Sequence, residues 1–221
     1  CFDGKGHTLN GLQIITVDVT DSQGLFCDID EQGVVKNLNM ENCSYVNANI
    51  NNIMQRAGIL AGWNEGTIIG CHIKGGKIEN KKSGNASGIV CDNKGSVLNC
   101  TVNDMQFIGN ELRIGGLCYD NSADIINCGV MRCSAISNKC AGGLCYNVAS
   151  GSTILNCYVY SLDAENTDAG ALFYQGNNSV TITINCYYQG DVSLKPIYNT
   201  FTYNKGAVYT YGSDFTVTDK G

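Results

Sequence analysis

Thirteen cysteines stand in this 221-residue chain. In a protein exposed to oxidant, many cysteines imply disulfides. In a protein with fixed cysteine spacing they can instead fill equivalent buried sites, since a free thiol behaves as a small, soft hydrophobe. Zinc is the weakest of the cysteine chemistries here. No Cys-x-x-Cys occurs, and His7 and His72 are the only histidines, so no usual ligand set is spaced for the metal.

Carboxylates are the next chemistry to weigh. Cleavage of a glycosidic bond needs two carboxyl groups gathered on one face. Asn166-Thr167-Asp168 has the look of such a motif, but no Asp-Asp pair accompanies it, and His72 precedes it. It reads as a turn. Asp120 and Asp124 also read as turn residues, where Asp is ordinary. The Gly-Gly dipeptides at 75–76, 115–116 and 142–143 lack the strand-loop-helix setting of a phosphate loop. No catalytic residue, metal or cofactor is assigned, and the chain is expected not to be an enzyme.

Tyrosines offer binding rather than catalysis. Tyr119, Tyr146 and Tyr174 follow matching Gly-Leu-Cys or Ala-Leu-Phe blocks, and Tyr158 and Tyr187 each follow an Asn-Cys pair. Aromatic rings stacked at strand spacing would form an amphipathic platform for a sugar or a partner protein. The first set could equally pack inward or against loops. Tyr158 and Tyr187 are the sharper candidates, because the earlier residues at that position are His72, Thr101 and Gly129.

What must position these residues is a repeat. Cys43, Cys71, Cys100, Cys128, Cys157 and Cys186 follow one another at spacings of 28, 29, 28, 29 and 29. A fixed period of this size means stacked supersecondary units. The flanks agree: Ser96-Val97-Leu98-Asn99-Cys100, Asp124-Ile125-Ile126-Asn127-Cys128 and Thr153-Ile154-Leu155-Asn156-Cys157 are one pattern, and Asn185-Cys186 closes a looser copy. A second apolar block precedes each cysteine, and a single apolar residue follows it: Ile50, Ile78, Phe107, Ala135, Ala164.

Each unit therefore holds three short β-type runs separated by turns, too short for helices of ordinary length. The predicted fold is all-β: a single right-handed parallel β-helix of about six coils of 28–29 residues, with the hand set by the crossover rule. Residues 1–190 form the repeat domain. Residues 191–221 form an irregular C-terminal cap or the start of further coils, in a tail that holds Tyr198, Tyr203, Tyr209 and Tyr211. Cys71, Cys100, Cys128, Cys157 and Cys186 form an inward ladder. Period-2 alternation then turns Val102 inward and Thr101 outward. Asn99, Asn127, Asn156 and Asn185 are expected to form an internal amide ladder, each satisfied by the coils above and below. Cys133 and Cys140 lie off the ladder and are the pair most suited to a bridge.

Composition fits that architecture. Charged residues make up 15% of the chain, and there are 26 asparagines, 27 glycines and one proline. Asn and Gly tolerate the left-handed backbone of tight corners. The net charge of −6, with no basic cluster, argues against nucleic acid. No apolar run reaches the length of a membrane-crossing helix. Asn42, Asn85, Asn99 and Asn177 are glycosylation acceptors by sequence, with Asn99 expected to be buried and unmodified.

The opening Phe2-Asp3-Gly4-Lys5-Gly6-His7-Thr8-Leu9-Asn10-Gly11-Leu12 resembles the start of GLUG-motif repeat regions. So do Gly115-Gly116-Leu117 and Gly142-Gly143-Leu144, each followed by Asn-Cys. The resemblance covers roughly residues 1–190. It departs from the family in placing Cys where Gly or Val is common, and in about four extra residues in the first unit, 33–58. It implies a segment of a longer, extracellular or cell-surface protein of adhesin type. The expected function is non-catalytic adhesion to carbohydrate or a host surface protein, with a polysaccharide lyase or hydrolase as the alternative.

Overall fold

The computed structural model describes residues 1–16, 22–47, 54–137, 139–164, 168–176, 182–189, 195–197 and 208–210. The described residues contain strands and turns and no helix. Every strand pairing is parallel and joins one coil to the next. The result is a parallel β-solenoid of about six turns.

One coil shows how the sequence builds the rest. Ser96–Leu98 forms the first face with Val97 inward. Asn99 then takes a left-handed conformation, φ 53°, and Cys100 points into the core. Thr101–Asn103 forms the second face with Val102 inward. Asp104 repeats the left-handed corner, φ 56°, and Met105 and Phe107 return to the core. Each corner is thus a single left-handed residue followed by an inward side chain. Non-glycine residues adopt that backbone at a cost of about 1–2 kcal/mol, least for Asn. This explains the residues at the first corner: Asn37, Gly70, Asn99, Asn127, Asn156 and Asn185. The second corner is less selective, with Gly11, Asn42, Gly75, Asp104, Arg132 and Ser161. Each fully buried Ile, Val or Leu inside adds about 1.5–3 kcal/mol.

The coil differs from a simple triangle. The third run is long and bent, as in Lys77–Ser87 and Gln106–Gly115, and leads through a sharp corner to a further short strand, Val90–Asn93 or Cys118–Asn121. Among the described residues these strands form one fifteen-stranded sheet, against seven and eight strands on the other two faces.

Register also corrects the cysteine ladder at its start. His72 pairs with Asn39 and with Thr101, so Leu38 is the rung beneath Cys71. Cys43 belongs to the next corner, in the row of Met105 and Cys133. The spacing of 28 from Cys43 to Cys71 is a coincidence produced by the longer first unit. For the same reason Tyr45, not Ile50, is the rung beneath Ile78; Ile50 lies outside the described residues.

The asparagine ladder exists, but on the outside. Asn127 Nδ2 donates to Asn99 Oδ1 at 3.0 Å, Asn156 to Asn127 at 3.0 Å, and Asn185 to Asn156 at 3.2 Å. All four residues are exposed, Asn99 included. A left-handed corner points its side chain outward, which is why the expected internal position fails. The buried amide ladder lies elsewhere. Asn64 Nδ2 donates to Asn93 Oδ1, and Asn93 Nδ2 to Asn121 Oδ1, both at 2.7 Å. Ile29 and Val148 close its two ends.

All thirteen cysteines are free, ten of them buried. Cys133 is in the core, whereas Cys140 faces outward and is half-exposed. Their side chains leave opposite sides of the wall, so the pair most suited to a bridge by sequence is not bridged in this conformation. At the C-terminal end, Lys195–Ile197 pairs with Asp168–Gly176, and Val208–Thr210 with Cys186–Gln189. Tyr198, Tyr203 and Tyr211 lie outside the described residues.

Candidate functional site

The bend after the long third run turns the chain back on itself. Its outer surface is a re-entrant corner that continues from coil to coil as a groove along the solenoid axis. The two walls meet closely at the corner. A Cβ on Gly115 would lie 1.7 Å from the carbonyl oxygen of Cys118, and one on Gly142 would lie 1.7 Å from that of Cys145. The Gly-Gly pairs at 115–116 and 142–143 are therefore structural.

Outward residues line the groove in register. One wall carries Asn85, Arg113, Cys140 and Asp168 in a column, with Arg56 beside Asn85 in the preceding coil. The other carries Trp63, Asp92, Asp120, Asn147 and Gln175. Cys91, Tyr119, Tyr146 and Tyr174 sit near the base. Cys91 is fully buried and Tyr146 is 7% exposed, yet neither belongs to the central apolar cluster.

The walls are tied together. Arg56 Nε donates to Asp92 Oδ2. Arg56 and Lys94 place their charges 5.0 Å and 4.3 Å from the Trp63 ring centroid. Cys91 Sγ approaches the Asn85 carbonyl at 3.8 Å. Asn147 Nδ2 donates to Asp120 Oδ1 at 2.8 Å. Arg113 and Cys140 both reach the Tyr146 hydroxyl. Burial shifts several of the groove's ionisable groups. It raises the Asp92 carboxyl, with Arg56 opposing and Asp120 adding to the rise. It likewise raises the phenols of Tyr119, Tyr146 and Tyr174 and the Cys91 thiol.

Tyr119, Tyr146 and Tyr174 do stack. Centroids are 4.8 Å and 4.9 Å apart, with interplanar angles of 17° and 22°. The rings use their faces on one another, so between coils they offer edges and hydroxyls rather than a flat platform. Tyr158 and Tyr187 are neighbours in register on the second face. Tyr158 does not stand clear of the surface: a Cβ on Gly129 would lie 2.2 Å from its ring, so the phenol covers Gly129.

The sequence reading missed Asp92 and Asp120 as partners, because each looked like part of a turn. The available signal was the repeated Asp-Asn at 92–93 and 120–121: the Asn of each pair is a rung of the buried ladder, and the Asp one residue earlier projects into the groove. Asp168 is exposed at the start of its strand; Asn166 and Thr167 lie outside the described residues. His72 is exposed, with Nδ1 2.9 Å from Thr101 Oγ1. Among the described residues no three His, Cys, Asp or Glu side chains cluster as metal ligands. Of the acceptor asparagines, Asn42 and Asn99 are exposed, Asn85 is half-buried in the groove, and Asn177 lies outside the described residues.

No family model matches the chain, and no curated protein matches it. Among solved structures, a crystal structure described as a "putative immunoglobulin A1 protease" from Bacteroides ovatus matches over 100% of this chain, with 18% identity and a TM-score of 0.48. This chain spans 65% of that one.

Proposed function

We propose that this chain is a non-catalytic binding module of an extracellular or cell-surface protein, and that it holds an extended carbohydrate along the axial groove. The observation that carries the reading is the column Trp63, Asp92, Asp120, Asn147, Gln175, facing Arg56, Asn85, Arg113 and Asp168. Planar polar side chains repeated at coil spacing, roughly 4.8 Å, suit a polymer of hydroxyl-bearing units. Many bonds of modest strength then act together, as in multivalent attachment. The resemblance to GLUG-motif repeats supports the adhesive reading. Binding to immobilised polysaccharides, compared between the native chain and Asp120→Ala with Gln175→Ala, tests it. Loss of at least tenfold in affinity is expected; unchanged binding in the double variant removes the groove from the function.

A polysaccharide-active enzyme is the second reading, and one observation favours it. Asp92 and Asp120 are in-register neighbours on adjacent strands, and burial raises one of them. Two neighbouring carboxyls, one of them raised by burial, are the starting arrangement of glycoside hydrolysis. The Arg56 ion pair on Asp92 weighs against Asp92 as a free acid. Release of reducing ends or unsaturated products from the bound polysaccharide would establish catalysis.

A further inference from the structure

Three buried acceptor atoms in one stretch of this groove have no hydrogen-bond partner: Asn85 Oδ1, Ser87 Oγ and Asp92 Oδ1. They belong to a single coil. Asn85 and Ser87 lie on the same outward side of one wall, two residues apart, and Asp92 comes from the other. Cys91 joins them, its thiol on the Asn85 carbonyl and against the Asp92 carboxyl. Ser87 is 0% exposed. An unpaired buried acceptor is costly, and native structures rarely gather several in one place without a use.

We infer that this stretch is the selective subsite of the groove, and that it takes hydroxyl donors of a neutral sugar. The inference rests on the carbohydrate reading above and specifies which sugars the site accepts. Asn85 Oδ1 and Asp92 Oδ1 accept, and the Ser87 hydroxyl can both accept and donate, so the ligand must donate to at least two of the three, as a sugar hydroxyl does. The surrounding charges exclude an ionised group. A ligand carboxylate would meet Asp92 and, one rung away, Asp120. A ligand ammonium would meet Arg56 and Lys94, which both crowd Trp63. Arg56 and Asp92 cancel each other, leaving a polar, nearly neutral recess. Trp63, engaged by these two cations, bounds the recess on the side of the preceding coil.

Ser87 gives the decisive test. Its hydroxyl makes no hydrogen bond within the protein, so Ser87→Ala removes nothing that holds the fold. A residue kept for the fold would lower the melting temperature when changed; one kept for a ligand lowers binding alone. Ser87→Ala and Asn85→Ala are each compared with the native chain for binding to soluble β-glucan, mannan and galactan, with polygalacturonate as the acidic probe and melting temperature as the structural readout. Expected is binding to a neutral probe, a threefold to tenfold loss in each variant, and a melting temperature in Ser87→Ala unchanged or raised. Native binding with both variants undiminished overturns the subsite and leaves the groove reading intact. Preference for polygalacturonate overturns the neutral specificity alone. No binding to any probe by the native chain overturns the subsite and the groove reading together.

Discussion

Asn156 donates its amide to Asn127 at 3.0 Å across an exposed corner, and both residues hold left-handed backbone, φ 51° and 55°. The corner thus asks two things of one residue, an unusual φ and a side-chain bond, and substitution separates them. Asn127→Gly keeps the backbone without strain and loses exposed hydrogen bonds; about 0.5 kcal/mol of destabilisation is expected. Asn127→Ala must carry the left-handed strain as well, and about 1–2 kcal/mol is expected. Chemical denaturation of the two variants side by side measures the difference. Equal losses would mean that the amide ladder, and not φ, selects asparagine here.

The buried ladder should be more demanding. Asn93→Ala leaves the Asn64 amide and the Asn121 carbonyl oxygen without their partners inside the solenoid. About 1–3 kcal/mol is the expected cost, against the smaller cost of Asn127→Gly. A neutral Asn93→Ala would show that these amides find water instead.

Gly142 stands where the groove walls converge. Gly142→Ala places a methyl group against the Cys145 carbonyl and the Tyr174 amide nitrogen. Backbone must move, and overpacking of this kind costs about 1–3 kcal/mol. The melting temperature should fall, and the Tyr146–Tyr174 stack beside the corner should be disturbed, which near-ultraviolet circular dichroism reads directly.

Thiol reactivity follows burial. Cys1 and Cys27 are exposed, Cys140 is half-exposed and the other ten are buried. A disulfide reagent added to the folded protein should consume two thiols rapidly and a third slowly. The remaining ten should react only after unfolding in guanidinium. Rapid reaction of a ladder residue such as Cys128 would contradict the stacked core.

Asp92 sets a pH dependence whose direction can be worked out. Burial raises its carboxyl in the folded state, so the folded chain keeps this proton to higher pH than the unfolded chain does. Where the folded state binds more protons, stability falls as pH rises. The loss begins near the ordinary carboxylate value, about 3.9, and ends above the raised folded value. Asp92→Asn lacks this titration. The melting temperature of the native chain relative to Asp92→Asn should therefore decline as pH rises through and above the ordinary carboxylate value of about 3.9. A rising difference would show that the Arg56 pair outweighs burial.

The repeat, its period and its parallel stacking were legible in the sequence, because each coil must bury the same few inward positions and the Asn-Cys pair marks a corner in most coils. Val102 could be placed in the core for that reason, as could Cys100, Cys128 and Cys157. What local pattern could not decide was which side of a corner a residue occupies. Asn99 and Asn93 are the same residue type in similar turn-like surroundings, yet left-handed φ turns one outward and regular backbone leaves the other inside. Nor could spacing alone reject Cys43, whose distance to Cys71 matched the period while its strand pairing did not. The groove depends on a bend of the third run, and so on contacts between walls both within a coil and between coils. Asp92 meets Arg56 across 36 residues, and only the stacking of coils, which fixes both walls in register, brings Arg56 to the corner where Asn85, Ser87 and Asp92 of one coil already meet.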